Sequence, residues 1–130
     1  RRTLEAFLPL TRTELGTLGE DCAEEYFAAR GFAILKRNWR YRKFEIDLIA
    51  RCANTLVFVE VKTRRGASGP MGILLREAQC RNLEKGAEAY LASCPDPEAE
   101  VRFDLVCVVL SRRPCLQHTR NFMLPHTDGQ

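Results

Sequence analysis

The sequence predicts an α/β fold in which a mixed β-sheet is built around a central β-hairpin and flanked by helices. Two strand-like segments, 44–50 and 56–62, are joined by a short polar link, as in a hairpin. A segment with helical periodicity follows. After it, segment 101–110 is almost continuously apolar, which is typical of a strand covered on both faces. A strand–helix–strand order predicts a right-handed crossover, so 101–110 should lie parallel to 56–62.

Length and composition are those of an ordinary globular protein with one domain. The chain has 130 residues, of which 45% are hydrophobic and 28% charged, and its formal net charge is +3. No apolar run approaches the roughly 20 residues that cross a bilayer, and the N-terminus lacks the apolar core of a signal peptide. We therefore expect a cytoplasmic protein without membrane contact, with an N-terminal extension (1–12), one domain (13–119) and a C-terminal tail (120–130).

The six cysteines do not form a metal-binding pattern. No two of them have C-x-x-C spacing, and the two histidines are not at zinc-ligand spacing. Free cysteines are among the most often buried side chains, so we expect small buried thiols in a reducing compartment.

The first helix is predicted between Thr13, a suitable N-cap, and Gly31, which suits the position after a helix end. Gly16 and Gly19 lie inside this helix, where each costs about 1 kcal/mol relative to alanine. Such glycines indicate the close approach of another backbone or a ligand. Helical spacing predicts an apolar stripe of Leu15, Leu18, Cys22 and Tyr26.

A basic segment follows the first predicted strand, 32–36. It reads KRNWRYRK (36–43) and interleaves Trp39 and Tyr41 with five basic residues. Basic side chains neutralise phosphates and aromatic rings stack on bases, so the segment suits nucleic-acid binding. A solvated charged loop with Trp39 in the core is the alternative. A second basic segment leaves the hairpin, and together the two supply the candidate nucleic-acid contacts Lys36, Arg37, Arg40, Arg42, Lys43, Arg64 and Arg65.

The two hairpin strands alternate in polarity. Side chains two apart on a strand point to the same face. On the second strand, Glu60 and Lys62 are therefore expected beside Phe58, with the valines on the opposite face. On the first strand, alternation predicts one face of Phe44, Ile46, Leu48 and Ala50 and another of Glu45, Asp47 and Ile49.

The register of the hairpin decides which charges meet. With a four-residue link, Asp47 lies opposite Glu60 and Glu45 lies opposite Lys62. A five-residue link would place Glu60 opposite Ile46 instead. The sequence leaves both registers open.

In the first register, two carboxylates converge beside an amine. A divalent cation between Asp47 and Glu60 would relieve their repulsion, and Mg²⁺ suits one or two carboxylates with water and phosphate as its other ligands. Lys62 could then orient water and stabilise charge on a phosphodiester. Glu20, on the flank of the first helix, could reach the rim of this site. The alternative is a cross-strand Glu–Lys pair, Glu45 with Lys62 in this register, with a solvated Asp47.

The remaining segments complete the crossover and the far side of the sheet. A basic loop rich in glycine is expected over 63–72, and a second amphipathic helix over about 75–93. The sequence CPDP (94–97) ends that helix before strand 101–110. A short last strand is expected near 115–119.

Five motifs resemble those of a known family in order and spacing. They are LGTLGEDCAEEYFAARGFAILKRNWR, FEIDLIA, FVEVKTR, AEAYL and RFDLVCV, which span roughly residues 13–110. They resemble the YraN-like (UPF0102) family of uncharacterised proteins, itself similar to the PD-(D/E)xK nuclease superfamily. The resemblance implies a restriction-endonuclease-like mixed sheet of four or five strands, similar in fold to archaeal Holliday-junction resolvases.

The same resemblance implies a catalytic site. Asp47 and Glu60 would bind Mg²⁺ (or Mn²⁺) with the Val61 carbonyl as a further ligand, Lys62 would be the catalytic lysine, and Glu20 would support the metal. Glu45 belongs to the hairpin motif and Arg64 to its basic exit. The implied activity is metal-dependent endonucleolytic hydrolysis of DNA, with structured or branched DNA in repair or recombination as one expected substrate. Resolvases act as dimers because their junctions are symmetric, so the resemblance leaves monomer and homodimer as alternatives.

Two departures from the family pattern favour an alternative. Phe44 stands where the family usually has glycine before Glu-Ile-Asp, and Gln79 stands where the second helix commonly has lysine. The alternative is a nucleic-acid-binding module that keeps the nuclease fold without catalysis. A third interpretation is a protein-interaction domain whose segment LEAFLPL (4–10) docks a partner or a second copy.

Overall fold

The computed structural model describes residues 10–66 and 77–123. The predicted N-terminal extension, the loop after the hairpin and the C-terminal tail lie wholly or largely outside the described residues. The elements are α1 (Arg12–Ala29), β1 (Ala33–Tyr41), β2 (Phe44–Cys52), β3 (Thr55–Arg65), α2 (Glu77–Ser93), β4 (Glu100–Leu110) and β5 (Cys115–Thr119).

These strands form one mixed sheet in the order β1-β2-β3-β4-β5. Only β3 and β4 are parallel, and α2 lies between them in sequence, which confirms the predicted crossover. The other three neighbouring pairs are antiparallel. The predicted α/β class, with a hairpin at the centre of a mixed sheet flanked by helices, is confirmed.

Each helix covers one face of the sheet and defines a separate core. Helix α1 packs Ala23 and Phe27 against Val57, Val59 and Val61, which share one face of β3 as predicted. Helix α2 covers the opposite face, where its buried side chains meet a second set from the hairpin. This second core consists of Ile46, Ile49, Leu56 and Phe58 from the hairpin strands together with Leu83, Ala87 and Tyr90 from α2. Burial of β3 on both faces explains its length and apolar character.

Helix α1 begins earlier than predicted. Its N-cap is Thr11, not Thr13, and Thr11 forms a capping box with Glu14. The Glu14 N–H donates to Thr11 Oγ1 at 3.0 Å, and the Thr11 N–H donates to Glu14 Oε1 at 2.9 Å. Two reciprocal bonds satisfy two otherwise unpaired amides, which is why Thr-x-x-Glu outcompetes Thr13. Gly31 follows the helix with a φ of 89°, as predicted.

Strand β1 is longer than predicted and contains most of the basic segment. It pairs with β2 as far as Tyr41, so residues 36–41 are strand rather than loop. An edge strand has an exposed side that tolerates charged residues, which explains how so polar a sequence extends the sheet. A bulge between Ile34 and Lys36 interrupts the pairing.

The hairpin adopts the first of the two predicted registers. Arg51 pairs with Leu56 and Cys52 with Thr55, around a turn in which Ala53 has a φ of 53°. The last β2–β3 pair is Leu48 with Val59.

The predicted strict alternation of β2 is wrong at Asp47. Leu48 packs on the α1 face, but Ile46 and Ile49 both pack on the α2 face. A matching change occurs on β1, where Arg37 contacts α1 and Trp39 packs on the α2 side. The two strands change faces together around Asn38, whose left-handed backbone (φ 53°) breaks the pleat.

One of the two helix glycines lies at a close contact. A Cβ on Gly19 would overlap the side chain of Thr63 on β3, so glycine lets α1 approach the sheet there. No described residue lies within 4 Å of a Cβ placed on Gly16, so among residues 10–66 and 77–123 the expected close approach is not found there.

The cysteines are less buried than expected. All six are free thiols, but only Cys107 is buried, and Cys94 and Cys115 are exposed. No helix within residues 10–66 and 77–123 is long and apolar enough to cross a membrane.

Candidate active site

Asp47 lies where the two hairpin strands stop pairing. Beyond the Leu48–Val59 pair the backbone ladder ends, and the Val61 N–H donates to Asp47 Oδ2 at 2.8 Å. The carboxylate therefore takes the place of a backbone acceptor. The change of faces at this point turns Asp47 toward β3 instead of into either core.

Glu60 and Lys62 extend from β3 beside this bond. Lys62 Nζ lies 3.3 Å from Glu60 Oε2, and their side chains are 31% and 20% exposed. Both are two residues apart on one strand, so they share a face as predicted. The structure thus joins an acid and a base from β3 to an acid from β2.

Burial and neighbouring negative charge disfavour ionisation of both carboxyls. The pKa of Asp47 is raised to about 7, chiefly by burial and then by the charge of Glu60, while the Val61 N–H opposes the rise. Burial also raises the pKa of Glu60, against the lowering effect of Lys62. Two acids that resist ionisation so close together favour a proton or a cation between them.

Glu20 approaches the pair from α1 but has partners of its own. Asn38 Nδ2 donates to Glu20 Oε1 at 3.1 Å, and an Arg37 guanidinium nitrogen lies 3.6 Å from the same oxygen. The charge of Glu20 contributes to the raised pKa of both Asp47 and Glu60. Its neighbour Gly19 is the residue that lets this part of α1 approach β3.

The donor set of Asp47 and Glu60 fits a hard cation. Mg²⁺ uses one or two carboxylates and keeps water in its other positions, and the Val61 carbonyl is the adjacent backbone oxygen on β3. In the part of the chain that the structure describes, no three His, Cys, Asp or Glu side chains form a metal-holding group. The fit therefore rests on two side-chain ligands, with Glu20 held by Asn38 and Arg37.

The seven candidate phosphate contacts fall into two groups. Lys36, Arg40, Arg42, Lys43, Arg64 and Arg65 are exposed. Arg37 is different, because its guanidinium lies 2.7 Å from Asp21 and 3.0 Å from Glu24 and donates to the Thr17 carbonyl. Burial alone would lower the pKa of Arg37, but these acids raise it overall. Arg37 ties β1 to α1.

Phe44 and Gln79, the two departures from the family pattern, both lie near helix α2 or within it. Phe44 is half-buried and its Cβ faces Gly86 of α2, at 3.6 Å from the position of a Cβ there. A Cβ on Gly86 would come closer to Ile46, at 3.1 Å, so Gly86 makes room chiefly for Ile46 rather than for Phe44. Gln79 lies in the first turn of α2. The next residue, Cys80, has a pKa raised by burial, then by Glu84 and Glu60, so this turn is near the carboxylates.

Sequence reasoning missed a second polar cluster on the α1 side. Asp104 is fully buried and accepts from Arg102 Nε at 3.0 Å, from the Asn121 N–H at 2.9 Å and from His118 Nε2 at 2.6 Å. His118 Nδ1 lies 2.9 Å from the Tyr26 hydroxyl on α1. Burial would raise the pKa of Asp104, but His118, Arg102 and Asn121 lower it overall. The only sequence signal was a charged pair, Arg102 and Asp104, in an otherwise apolar strand.

A mixed sheet of five strands with a central hairpin and two flanking helices is consistent with a nuclease-like α/β fold. The chain belongs to the uncharacterised protein family UPF0102, whose sequence profile matches residues 19–108. This is the YraN-like group indicated by the motifs, and a place in the PD-(D/E)xK superfamily is consistent with the fold.

Curated relatives cover most of the chain. A UPF0102 protein of Parafrankia sp. (strain EAN1pec) is 46% identical over 102 residues, which is 76% of this chain and 85% of that protein. A UPF0102 protein of Chlorobium phaeobacteroides (strain BS1) is 41% identical over 98 residues, or 74% and 77% of the two chains. One of Dictyoglomus turgidum is 39% identical over 103 residues, or 78% and 87%.

Proposed function

We propose that this protein is a metal-dependent endonuclease that hydrolyses phosphodiester bonds in DNA. The observation that carries the proposal is the position of Asp47. It accepts from the Val61 N–H where strands β2 and β3 separate, and burial together with the charge of Glu60 raises the pKa of Asp47 to about 7. Repulsion between two carboxylates does not stabilise the fold. A divalent cation bound between them would remove this repulsion.

The residues have separate roles in this proposal. Asp47 and Glu60, with the Val61 carbonyl, would hold Mg²⁺ or Mn²⁺. When bound, the ion would lower the pKa of a water and neutralise charge on the phosphodiester. Lys62, which is now 3.3 Å from Glu60, would hold the attacking water or a phosphate oxygen by hydrogen bonds. Glu20 adds negative charge that strengthens cation binding.

Exposed basic residues around the site supply the attraction for a polyanion. The acidic pair alone repels DNA, whereas Arg40, Arg42 and Lys43 at the β1–β2 turn and Arg64 at the end of β3 attract it. Arg37 has no part in this attraction, because α1 carboxylates surround it. Structured or branched DNA in the cytoplasm remains the proposed substrate, and six free thiols suit that compartment.

Cleavage assays test the activity. Purified protein with Mg²⁺ or Mn²⁺ is incubated with single-stranded, duplex, flapped and four-way DNA of the same sequence. We expect cleavage of at least one form, lost on chelation and reduced at least about 100-fold in Asp47→Asn or Lys62→Met. Glu88→Gln, an exposed acid on α2, is the matched control and should keep full activity. Cleavage that survives Asp47→Asn, or no cleavage of any form, would contradict the proposal.

A catalytically silent nucleic-acid-binding module is the second candidate. It is favoured by the direct Lys62–Glu60 ion pair, which neutralises Glu60 without any metal. Calorimetry with Mn²⁺ separates the two. An active site binds Mn²⁺ and loses it in Asp47→Asn, whereas a silent module binds DNA without binding Mn²⁺.

A further inference from the structure

Tyr41 is an exposed aromatic ring at the tip of the β1–β2 hairpin. It is 43% exposed, one of three large hydrophobic side chains so exposed among the described residues. Its ring lies nearly parallel to that of Trp39, with an interplanar angle of 10° and centroids 6.4 Å apart. The two stacked rings are here called the aromatic shelf.

The shelf is anchored in the core. Trp39 meets Tyr90 of α2 edge to face at 5.4 Å, and Tyr90 meets Phe58 of β3 at 5.8 Å. Tyr90 is 6% exposed and Phe58 is fully buried. The exposed ring of Tyr41 therefore continues a rigid row of aromatic contacts, so little conformational entropy is lost when a flat ligand binds it.

Cations surround the shelf. The Arg42 guanidinium lies 5.2 Å from the centre of the Tyr41 ring, and Lys43 Nζ lies 5.6 Å from the Phe44 ring. Arg40 lies between Trp39 and Tyr41 on β1, so it points to the other face of the strand, where it pairs with Glu45 at 3.4 Å. An apolar contact surface on a soluble protein more often meets another protein, but the two adjacent cations Arg42 and Lys43 suit a flat ligand that carries phosphates.

The shelf, at the tip of the β1–β2 hairpin, and the acidic pair, where β2 and β3 stop pairing, lie toward the same end of strand β2. Tyr41 pairs with Phe44, and Phe44 precedes Asp47 by three residues on β2. Three residues of strand span about 10 Å. Bases stacked along one strand are about 3.4 Å apart, so this separation corresponds to about three base steps.

We propose that Tyr41 is a stacking platform for an unpaired nucleobase, and that Arg42 and Lys43 hold the phosphates that flank it. This site rests on the proposed function for its link to cleavage and adds the substrate class. A base inside a continuous duplex has both faces covered by its neighbours. Only a single strand, a flap, a bulge or a strand end presents a free face to Tyr41.

Binding is measured without cleavage, in chelator. The probes are a single-stranded oligonucleotide that carries a fluorescent adenine analogue and the same sequence as a blunt duplex. Trp39 is the only tryptophan of the chain, so its own fluorescence reports on the shelf. We expect the single strand to quench both the analogue and Trp39, and the blunt duplex to bind more weakly without quenching the analogue.

Two substitutions separate stacking from general apolar contact. Tyr41→Leu keeps apolar area without the ring and should weaken single-strand binding about tenfold or more, with less than about a twofold change for the duplex. Tyr41→Phe should bind as the wild type does. Val101→Ala is the matched control, because Val101 is 41% exposed at the opposite end of β3 and β4 and should leave binding unchanged. Thermal unfolding of each variant confirms that the fold is intact.

The outcomes distinguish this inference from the proposed activity. Equal single-strand binding by Tyr41→Leu and wild type would overturn the stacking site even if the protein cleaves DNA. A selective loss in Tyr41→Leu would support it even if no cleavage is found. The stacking site would also be overturned if the wild type bound no nucleic acid. Equal losses of duplex binding and single-strand binding in Tyr41→Leu would overturn it as well.

Discussion

At the level of single side chains, Asp47 is subject to two opposed influences. The Val61 N–H stabilises its ionised form, but burial and the nearby charge of Glu60 raise its pKa to about 7. Glu60 is subject to the same burial and is partly relieved by Lys62. Near neutral pH, the site therefore exchanges protons easily and has a reason to accept a cation.

The raised pKa predicts how Asp47 affects stability. An ordinary aspartate in the unfolded chain ionises near pH 3.9, so the folded state binds the extra proton between about pH 4 and pH 7. The stabilisation that protonated Asp47 contributes to the free energy of unfolding is present below that window and is lost as pH rises through it.

The substitution Asp47→Asn keeps an acceptor for the Val61 N–H without the charge. In the metal-free protein, it should raise the free energy of unfolding by up to about 4 kcal/mol at pH 8 and change it little at pH 4. Urea unfolding at both pH values measures this, and a variant less stable than wild type at pH 8 would contradict it.

Metal binding should depend on pH for the same reason. The cation requires ionised carboxylates, so binding must displace the proton held near pH 7. We expect the affinity for Mn²⁺ to rise between about pH 6 and pH 8 and to level off above. Calorimetry in buffers of different ionisation enthalpy should show proton release at pH 6.5. Glu88→Gln should behave as wild type, and an affinity that does not change with pH would exclude Asp47 as a ligand.

At the level of elements, the contact of α1 with β3 places Glu20 near the carboxylate pair. Gly19 makes that contact possible, because a Cβ there would overlap the Thr63 side chain. Helix and strand are otherwise held by apolar packing, in which Ala23 and Phe27 meet the β3 valines.

Gly19 and Gly16 form a matched pair for testing this contact. Gly19→Ala should lower the free energy of unfolding by about 1–3 kcal/mol, because the extra methyl group forces α1 away from β3. Gly16→Ala should raise it by about 0.5–1 kcal/mol, because the site is open and alanine is the better helix former. Chemical denaturation measures both. Equal effects of the two substitutions would mean that the close approach does not matter.

The elements also show what sequence could and could not predict. Hydrophobic periodicity and turn residues were sufficient for both helices, the hairpin and the parallel strand β4, because those patterns depend on near neighbours. The alternation of β2 failed at Asp47, since the change of faces depends on Asn38 of another strand, whose backbone angle is not visible in the sequence. The same change turns Asp47 toward Val61. The candidate residues were therefore predictable by type and spacing, but the bond that positions Asp47 was not.

At the level of the whole molecule, the buried Asp104 cluster joins three elements on the α1 face. Arg102 and Asp104 lie on β4, His118 on β5 and Tyr26 on α1. The ionised carboxylate only accepts hydrogen bonds, so His118 Nε2 carries the proton and Nδ1 can accept from the Tyr26 hydroxyl. Partners up to 92 residues apart give no pattern in a single sequence, which is why this cluster was not predicted.

The cluster should support the fold and leave the acidic site unaffected. Removing one partner of a buried ion pair leaves the other charge unpaired, so Asp104→Asn should lower the free energy of unfolding by about 3–5 kcal/mol. The lowered pKa of Asp104 adds a pH signature of opposite sign to that of Asp47. Its stabilisation is present above the unfolded pKa and is lost as pH falls through the lower, folded value, so the wild-type advantage over Asp104→Asn should shrink in acid. Arg81→Gln, which breaks only the exposed Glu77–Arg81 pair, is the control and should cost less than about 1 kcal/mol.

The folded Asp104→Asn variant should bind Mn²⁺ as wild type does. Asp104 is not among the groups that shift the pKa values of Asp47 and Glu60, and its hydrogen bonds go to other residues. A loss of Mn²⁺ affinity in a variant that is still folded would show instead that the two polar clusters communicate through β3 and β4.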